Sequence, residues 1–230
     1  MPAASTTLRV LAASVIASLT VTGCQALDDA GGALGRADLV NDLAARMDRA
    51  LEQTWAADYQ LPGGRTASVA QTMKPLQSAY TWPDGKITVS QQAVTHCEKS
   101  GGRTSCVVSP PLPTAGKPSV VVYTEARKYG LVTPPAVIRL LTDAALDREA
   151  DIEQTDTTLG GHHATCVDVT RAGERFTACV TTEGVLASFT GTLDGKPADI
   201  ALSRYTDTVE ASAFDVPAGA DVVDRRPATS

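Results

Sequence analysis

The chain has 230 residues, 43% of them hydrophobic and only 4% aromatic, with five cysteines and a formal charge of −6 at pH 7. An acidic balance argues against a nucleic-acid partner and against electrostatic docking on anionic lipid head groups. The length suffices for one sizeable core and is short for two.

Residues 10–21 are Val, Ala, Leu and Ile diluted by Ser and Thr, behind a short start whose only charged side chain is Arg9. A membrane-spanning helix needs about 20 apolar residues, so residues 1–23 read as a signal peptide. No later segment is apolar enough to cross a bilayer. Val21-Thr22-Gly23-Cys24 follows directly and resembles the lipobox of bacterial lipoproteins. The resemblance implies cleavage before Cys24 and diacylation of that residue. The protein would then be anchored to the cell membrane on its extracytoplasmic side. The alternative is an ordinary secreted protein in which Cys24 is incidental. Cleavage leaves 19 Lys and Arg against 26 Asp and Glu, a side-chain charge of −7. The lipid must then supply most of the membrane affinity, at ~0.8 kcal/mol per buried CH₂.

Residues 24–37 read as a lipidated tether, about 45 Å long if extended. From Asp38, a plausible N-cap, the pattern turns helical: Leu39, Leu43, Met47, Leu51 and Trp55 recur every four residues. Pro62-Gly63-Gly64 ends anything helical. Period-two segments follow at 66–73, 78–82 and 86–94. A turn on Asp84-Gly85 sets Trp82 opposite Ile87 and Tyr80 opposite Val89, on one apolar face.

With Cys24 assigned to lipid, four cysteines remain in an oxidising compartment, where disulfides are the default. If Gly101-Gly102 is a two-residue hairpin turn, Cys97 faces Cys106 at a non-hydrogen-bonded site, where side chains approach most closely. Centring a turn on Ala172-Gly173 sets Cys166 opposite Cys179 in the same way, although Ala-Gly leaves a bulged turn open. A zinc site would need closely spaced Cys and His pairs, which are not present.

Pro110-Pro111-Leu112-Pro113 is a loop, and residues 119–129 are ambiguous between strand and short helix. Thr133-Pro134-Pro135 opens a helix, with Thr133 as cap. Val137, Ile138, Leu140, Leu141, Ala144, Ala145 and Leu146 make that helix apolar around most of its circumference. Turns at Glu183-Gly184 and Asp194-Gly195 then align Phe176, Ala178 and Val180 with Ala187 and Phe189, and these with Ala198, Ile200 and Leu202. One face of a curved antiparallel sheet is therefore apolar. Residues 216–225 look like an edge segment and 226–230 like a loose tail.

No nucleophile elbow, metalloprotease helix, dinucleotide fingerprint or phosphate loop occurs, and the reading is of a non-enzyme without cofactor or metal. His162 and His163 follow Gly160-Gly161 and begin a strand. Neighbouring strand residues point to opposite faces, so both cannot easily bind one metal.

The order of lipobox, helix, β-meander, apolar helical insertion and second meander resembles the LolA-like fold. More specifically, it resembles bacterial lipoprotein carriers of the LppX/LprG type. The phrases that carry the resemblance are Ala57-Asp58-Tyr59-Gln60-Leu61, Val132-Thr133-Pro134-Pro135, Gly184-Val185-Leu186 and Phe214-Asp215-Val216-Pro217. The resemblance implies one α+β domain over 38–225, a half-open antiparallel barrel of 10–11 strands with the helical insertion over its concave face. It also implies a cavity for acyl chains, with Trp82, Val89, Val137, Ile138, Leu141, Phe189, Ile200 and Leu202 as candidate lining. The departures are two hairpin disulfides and few aromatics. A stapled barrel filled by its own side chains would serve instead as a tethered sensing or protein-interaction domain. Cavity volume separates the two, since a carrier needs several hundred Å³ of apolar void.

Overall fold

The computed structural model describes residues 23–111 and 118–227, and of residues 23–34 and Ser119 the backbone alone. The expected signal peptide up to Thr22, the Leu112-Pro113 part of the loop and residues 228–230 of the expected tail lie outside the described residues, as does the Cys24 side chain.

The first helix, α1, runs Gly23–Ala50. Residues 24–37 thus have helical backbone where a tether was expected, and at 1.5 Å per residue they span about 21 Å. Ala26, Leu27, Ala30, Ala33, Leu34 and Ala37 are strong helix formers, and the glycines between them masked that signal. Val40, Leu43, Met47 and Ala50 form the buried stripe, with Arg46 and Asp42 paired at 2.6 Å. Trp55, expected as the last rung, opens the first strand instead. At the helix end the backbone tightens into i→i+3 bonds, Gln53 N–H reaching the Ala50 carbonyl at 3.2 Å, and that carbonyl also accepts from Trp55 Nε1 (2.9 Å) and Gln71 Nε2 (2.6 Å). Two buried side chains thereby help satisfy a terminal carbonyl beyond the regular helical ladder.

Among the described residues, twelve strands form one sheet. The first meander is β1 Trp55–Leu61, β2 Arg65–Met73, β3 Leu76–Trp82, β4 Gly85–Ser90, β5 Val94–Ser100 and β6 Arg103–Ser109. The second is β7 Asp151–Leu159, β8 His162–Arg171, β9 Glu174–Thr181, β10 Leu186–Leu193 and β11 Lys196–Thr206. Between them lie α2 Pro118–Lys128 and α3 Pro134–Leu146, and the short β12 Asp221–Asp224 comes last. The strand order is β12-β6-β5-β4-β3-β2-β1-β11-β10-β9-β8-β7. Pairing is antiparallel throughout except for β12, which runs parallel to β6. The sheet is open, with β7 and β12 as its edges. It is also strongly curved: a Cβ on Gly160, in the β7–β8 turn, would lie 3.1 Å from Leu202 on β11, four strands away.

Both cysteine hairpins have the expected registers, Cys97 opposite Cys106 and Cys166 opposite Cys179, and both disulfides are formed. Gly101-Gly102 and Ala172-Gly173 are two-residue turns with positive φ at both positions, and no bulge interrupts either pairing. The β3–β4 hairpin differs. Its turn is Pro83-Asp84, so Trp82 faces Gly85, Tyr80 faces Ile87 and Ser78 faces Val89. The reason is steric: a Cβ at position 85 would sit 2.4 Å from the Trp82 ring, so only glycine can lie under the indole. A two-residue shift preserves the faces, and Tyr80, Trp82, Ile87 and Val89 all remain buried.

A β-bulge between Leu186 and Ser188 corrects the β9–β10 register. Ala187 leaves the Phe189 face and joins Ala164, Cys166 and Cys179 in a small cluster around the disulfide. Leu186 takes its place in the main core. An extra residue at this point increases local twist.

The residues 119–129, ambiguous in sequence, form α2, which lies on β3 and β4 and buries Val122, Tyr123 and Ala126. The α3 helix, expected across Trp82, Val89, Phe189, Ile200 and Leu202, packs instead on α1 and on β10. Its buried residues are Ala136, Val137, Leu141 and Ala144, whereas Leu146 is 79% exposed. Thr133 occupies the N-cap position, but its side chain makes no capping bond. Pro135 stands where the second N–H of the helix would be, and the Ala136 N–H is taken by the Thr133 carbonyl.

Candidate functional site

Among the described residues, the helices and the curved sheet meet around an internal space. It is lined by Met47, Trp55, Tyr59, Tyr80, Tyr123 and Ile200 among others, and its volume is about 10 Å³. That is room for about one water, against roughly 300–1,000 Å³ for an ordinary ligand pocket. Of the residues expected to line an acyl cavity, Ile200 alone borders this space. Trp82, Val89, Val137, Leu141, Phe189 and Leu202 are buried in the surrounding core, and Ile138 is half-buried against it. These side chains, expected as cavity lining, belong to one hydrophobic core.

Three tyrosines border the space from β1, β3 and α2. Burial pushes the phenols of Tyr59, Tyr80 and Tyr123 above their ordinary range, and the nearby phenols raise Tyr59 and Tyr123 further. They are neutral donors at any physiological pH, and Tyr80 donates to the Val132 carbonyl at 3.2 Å. That bond ties β3 to the segment entering α3.

The helices are also fastened from outside. Asp194, in the β10–β11 turn with φ +49°, accepts from Arg127 of α2 (3.1 Å) and pairs with Arg139 of α3 (3.4 Å). The bonds and charge of Arg127, and then of Arg139, hold the Asp194 carboxyl below the usual carboxylate range. Tyr129, just past the end of α2, packs against both Trp82 and His96 with centroid distances of 5.0 Å, and those two rings also meet at 6.2 Å. Neither feature was visible in sequence, since each joins residues at least 33 positions apart.

His162 and His163 are kept apart, as strand alternation requires. His162 Nδ1 lies 3.1 Å from Glu183 Oε1, and its ring meets Tyr205 edge-on at 4.8 Å. Burial raises the Glu183 carboxyl, but its own backbone N–H and bonds from His162 and Thr181 outweigh this and hold it low. His163 is exposed and contributes its carbonyl to Thr182 N. Among the described residues no three His, Cys, Asp or Glu side chains are grouped to hold a metal ion.

A larger space, about 480 Å³, lies outside the core. It is an open trough between the outer face of β2–β4 (Ser68, Ala70, Ala79, Thr81, Lys86) and the C-terminal segment 212–218. Lys86 donates to the Asp215 carbonyl at 2.6 Å and fastens that segment. Burial lowers the Lys86 ammonium pKa, against the opposing pull of Asp215.

No protein-family model matches the chain, and no curated protein matches its sequence. Among solved structures it is similar to an uncharacterized conserved protein from Thermus thermophilus, at 13% identity and a TM-score of 0.45, over 80% of this chain and 98% of that one. It is also similar to MucB, at 14% identity and a TM-score of 0.45, and to MucB in complex with MucA(peri), at 13% and 0.43. Each covers 80% of this chain, which spans 65% and 62% of the two MucB chains.

Proposed function

We propose that this chain is a lipid-anchored, extracytoplasmic protein-interaction module of LolA-like architecture, with a core filled by its own side chains. The architecture is supported by the order of helix, six-stranded meander, two-helix insertion and five-stranded meander. The anchor reading is supported by the lipobox-like Val21-Thr22-Gly23-Cys24, and export by the two disulfides. One observation carries the choice between carrier and interaction module: the space under the helices, where an acyl chain would lie, measures about 10 Å³. No part of an acyl chain longer than a methyl group fits there unless helices move.

The carrier reading is favoured by one feature. Besides the Tyr129 ring contacts, the outer fastenings of α2 and α3 are solvent-exposed ion pairs to Asp194, which hold weakly in water. Titrating the Cys24→Ser protein with a fluorescent fatty-acyl probe decides between them. A filled core gives no saturable signal up to the probe's solubility limit. Saturable one-to-one binding, abolished by Leu141→Gln with the fold retained, would establish the carrier instead.

A further inference from the structure

Strand β7 is the one long edge of the sheet. The other edge, β12, has only four residues. β7 runs nine residues, Asp-Ile-Glu-Gln-Thr-Asp-Thr-Thr-Leu, and pairs with β8 in unbroken register from Asp151–Thr170 to Leu159–His162. Positions 153–158 are exposed on both faces of the strand. Edge strands are ordinarily protected by a bulge, a proline, an inward lysine or a covering element. β7 has none of the first three in its sequence or register.

The ladder shows which backbone groups are free. Gly160-Gly161, both with positive φ, make a two-residue turn. Leu159–His162 is therefore the hydrogen-bonded pair next to it, and bonding alternates from there. Thr157, Thr155, Glu153 and Asp151 spend their N–H and C=O on β8. Ile152, Gln154, Asp156 and Thr158 point theirs outward. Four residues thus offer both a donor and an acceptor at the spacing of another strand.

Charge selects what can use them. β7 carries Asp151, Glu153 and Asp156 and no cation. None of these three belongs to an ion pair among the described residues. Glu153 stands directly opposite Asp168 on β8, an arrangement of like charges that costs stability across a sheet. In the same cross-strand row, Thr177 donates to Asp168 and Thr190 to Asp199, so the row of Glu153 carries no cation, while the neighbouring row places Arg175, which donates to Thr170, beyond Asp151. A second copy of the chain would bring three carboxylates against these three. An extended segment with lysine or arginine at alternate positions would pair the free backbone groups and neutralise Glu153 and Asp168 together.

We infer that β7 is a docking edge for an extended cationic segment of a partner protein, which adds to the sheet as a thirteenth strand. The inference rests on the interaction-module reading above and specifies its surface. The test uses a labelled nine-residue peptide of alternating lysine and threonine, an alternating glutamate and threonine counterpart, and the full Cys24→Ser protein with both disulfides intact. The expected result is saturable binding of the cationic peptide alone, weakening with salt, with slowed hydrogen exchange at Gln154, Asp156 and Thr158. Gln154→Pro removes one outward N–H while leaving the β8 ladder whole. It should weaken binding at least tenfold with the melting temperature of the free protein unchanged. Absence of binding, equal binding of the acidic peptide, or binding unaffected by Gln154→Pro would overturn the inference. Lipid extraction from the same preparation separates this from failure of the parent reading, since stoichiometric lipid contradicts the filled core whatever the peptide does.

Discussion

Replacing Leu141 by Gln places a polar probe at the junction of α3 with the core. Leu141 is 1% exposed, so the substitution removes an aliphatic side chain whose burial contributes roughly 1.5–3 kcal/mol. It also inserts an amide beside Val137 and Ala144 on the buried side of the helix. A buried amide without partners costs a further ~1–3 kcal/mol. The expected loss is about 3–5 kcal/mol out of a total stability on the order of 5–15 kcal/mol. For a domain of this size that corresponds to a fall of roughly 10 °C in melting temperature. Ile138→Gln, three residues earlier and half-buried, should cost only about 1 kcal/mol, because its amide can turn to solvent. Thermal unfolding followed by circular dichroism, on the Cys24→Ser background with the disulfides oxidised, measures both. If Leu141→Gln shifted the melting temperature by less than about 2 °C, the α3 face would border a void or solvent, and the filled core would be wrong.

Gly184→Ala should be among the most damaging single-methyl changes, by roughly 3 kcal/mol or more, since φ there is +88° and the new Cβ would sit 2.0 Å from the Arg46 carbonyl. Gly101→Ala, in open space with φ +58°, should cost only about 1 kcal/mol, and chemical denaturation compares the two. Non-reducing peptide mapping should recover Cys97 with Cys106 and Cys166 with Cys179, and removing either pair should cost about 2–3 kcal/mol; a cross-hairpin peptide would contradict both registers. Because Arg127 and Arg139 hold Asp194 below its ordinary pKa, its contribution is complete above the usual carboxylate range and is lost as pH falls through the depressed value. The stability gap between the parent and Asp194→Asn should therefore be present at pH 7, shrink below about pH 4, and not reopen in stronger acid. Cys24→Ser should release the protein from washed membranes, and retention there would contradict the lipid anchor.

The features legible in sequence were those set by local rules. Three hairpin turns, Gly101-Gly102, Ala172-Gly173 and Asp194-Gly195, could be placed because positive φ demands particular residues at fixed positions. Two of them fix the disulfides. The errors have equally local causes. Asp84-Gly85 looks like a better turn than Pro83-Asp84, but glycine was needed opposite Trp82 and not in the turn. The bulge at Ala187 moves one small residue between faces, and nothing in Val-Leu-Ala-Ser marks it. β7 has no apolar alternation because, as an edge lying mostly outside the core, it half-buries only Ile152 and Leu159 near its two ends. The placement of α3 on α1 depends on long-range packing of two amphipathic faces, which periodicity alone does not assign. The size of the central space was beyond reach for the same reason: it depends on how Phe189, Met47, Leu43 and Leu141 interdigitate, not on their being apolar.

Mass spectrometry of organic extracts from the purified Cys24→Ser protein tests the filled core most directly. The account predicts no lipid above a few per cent of the molar amount of protein. One acyl lipid per chain, retained through purification and lost on unfolding, would contradict it.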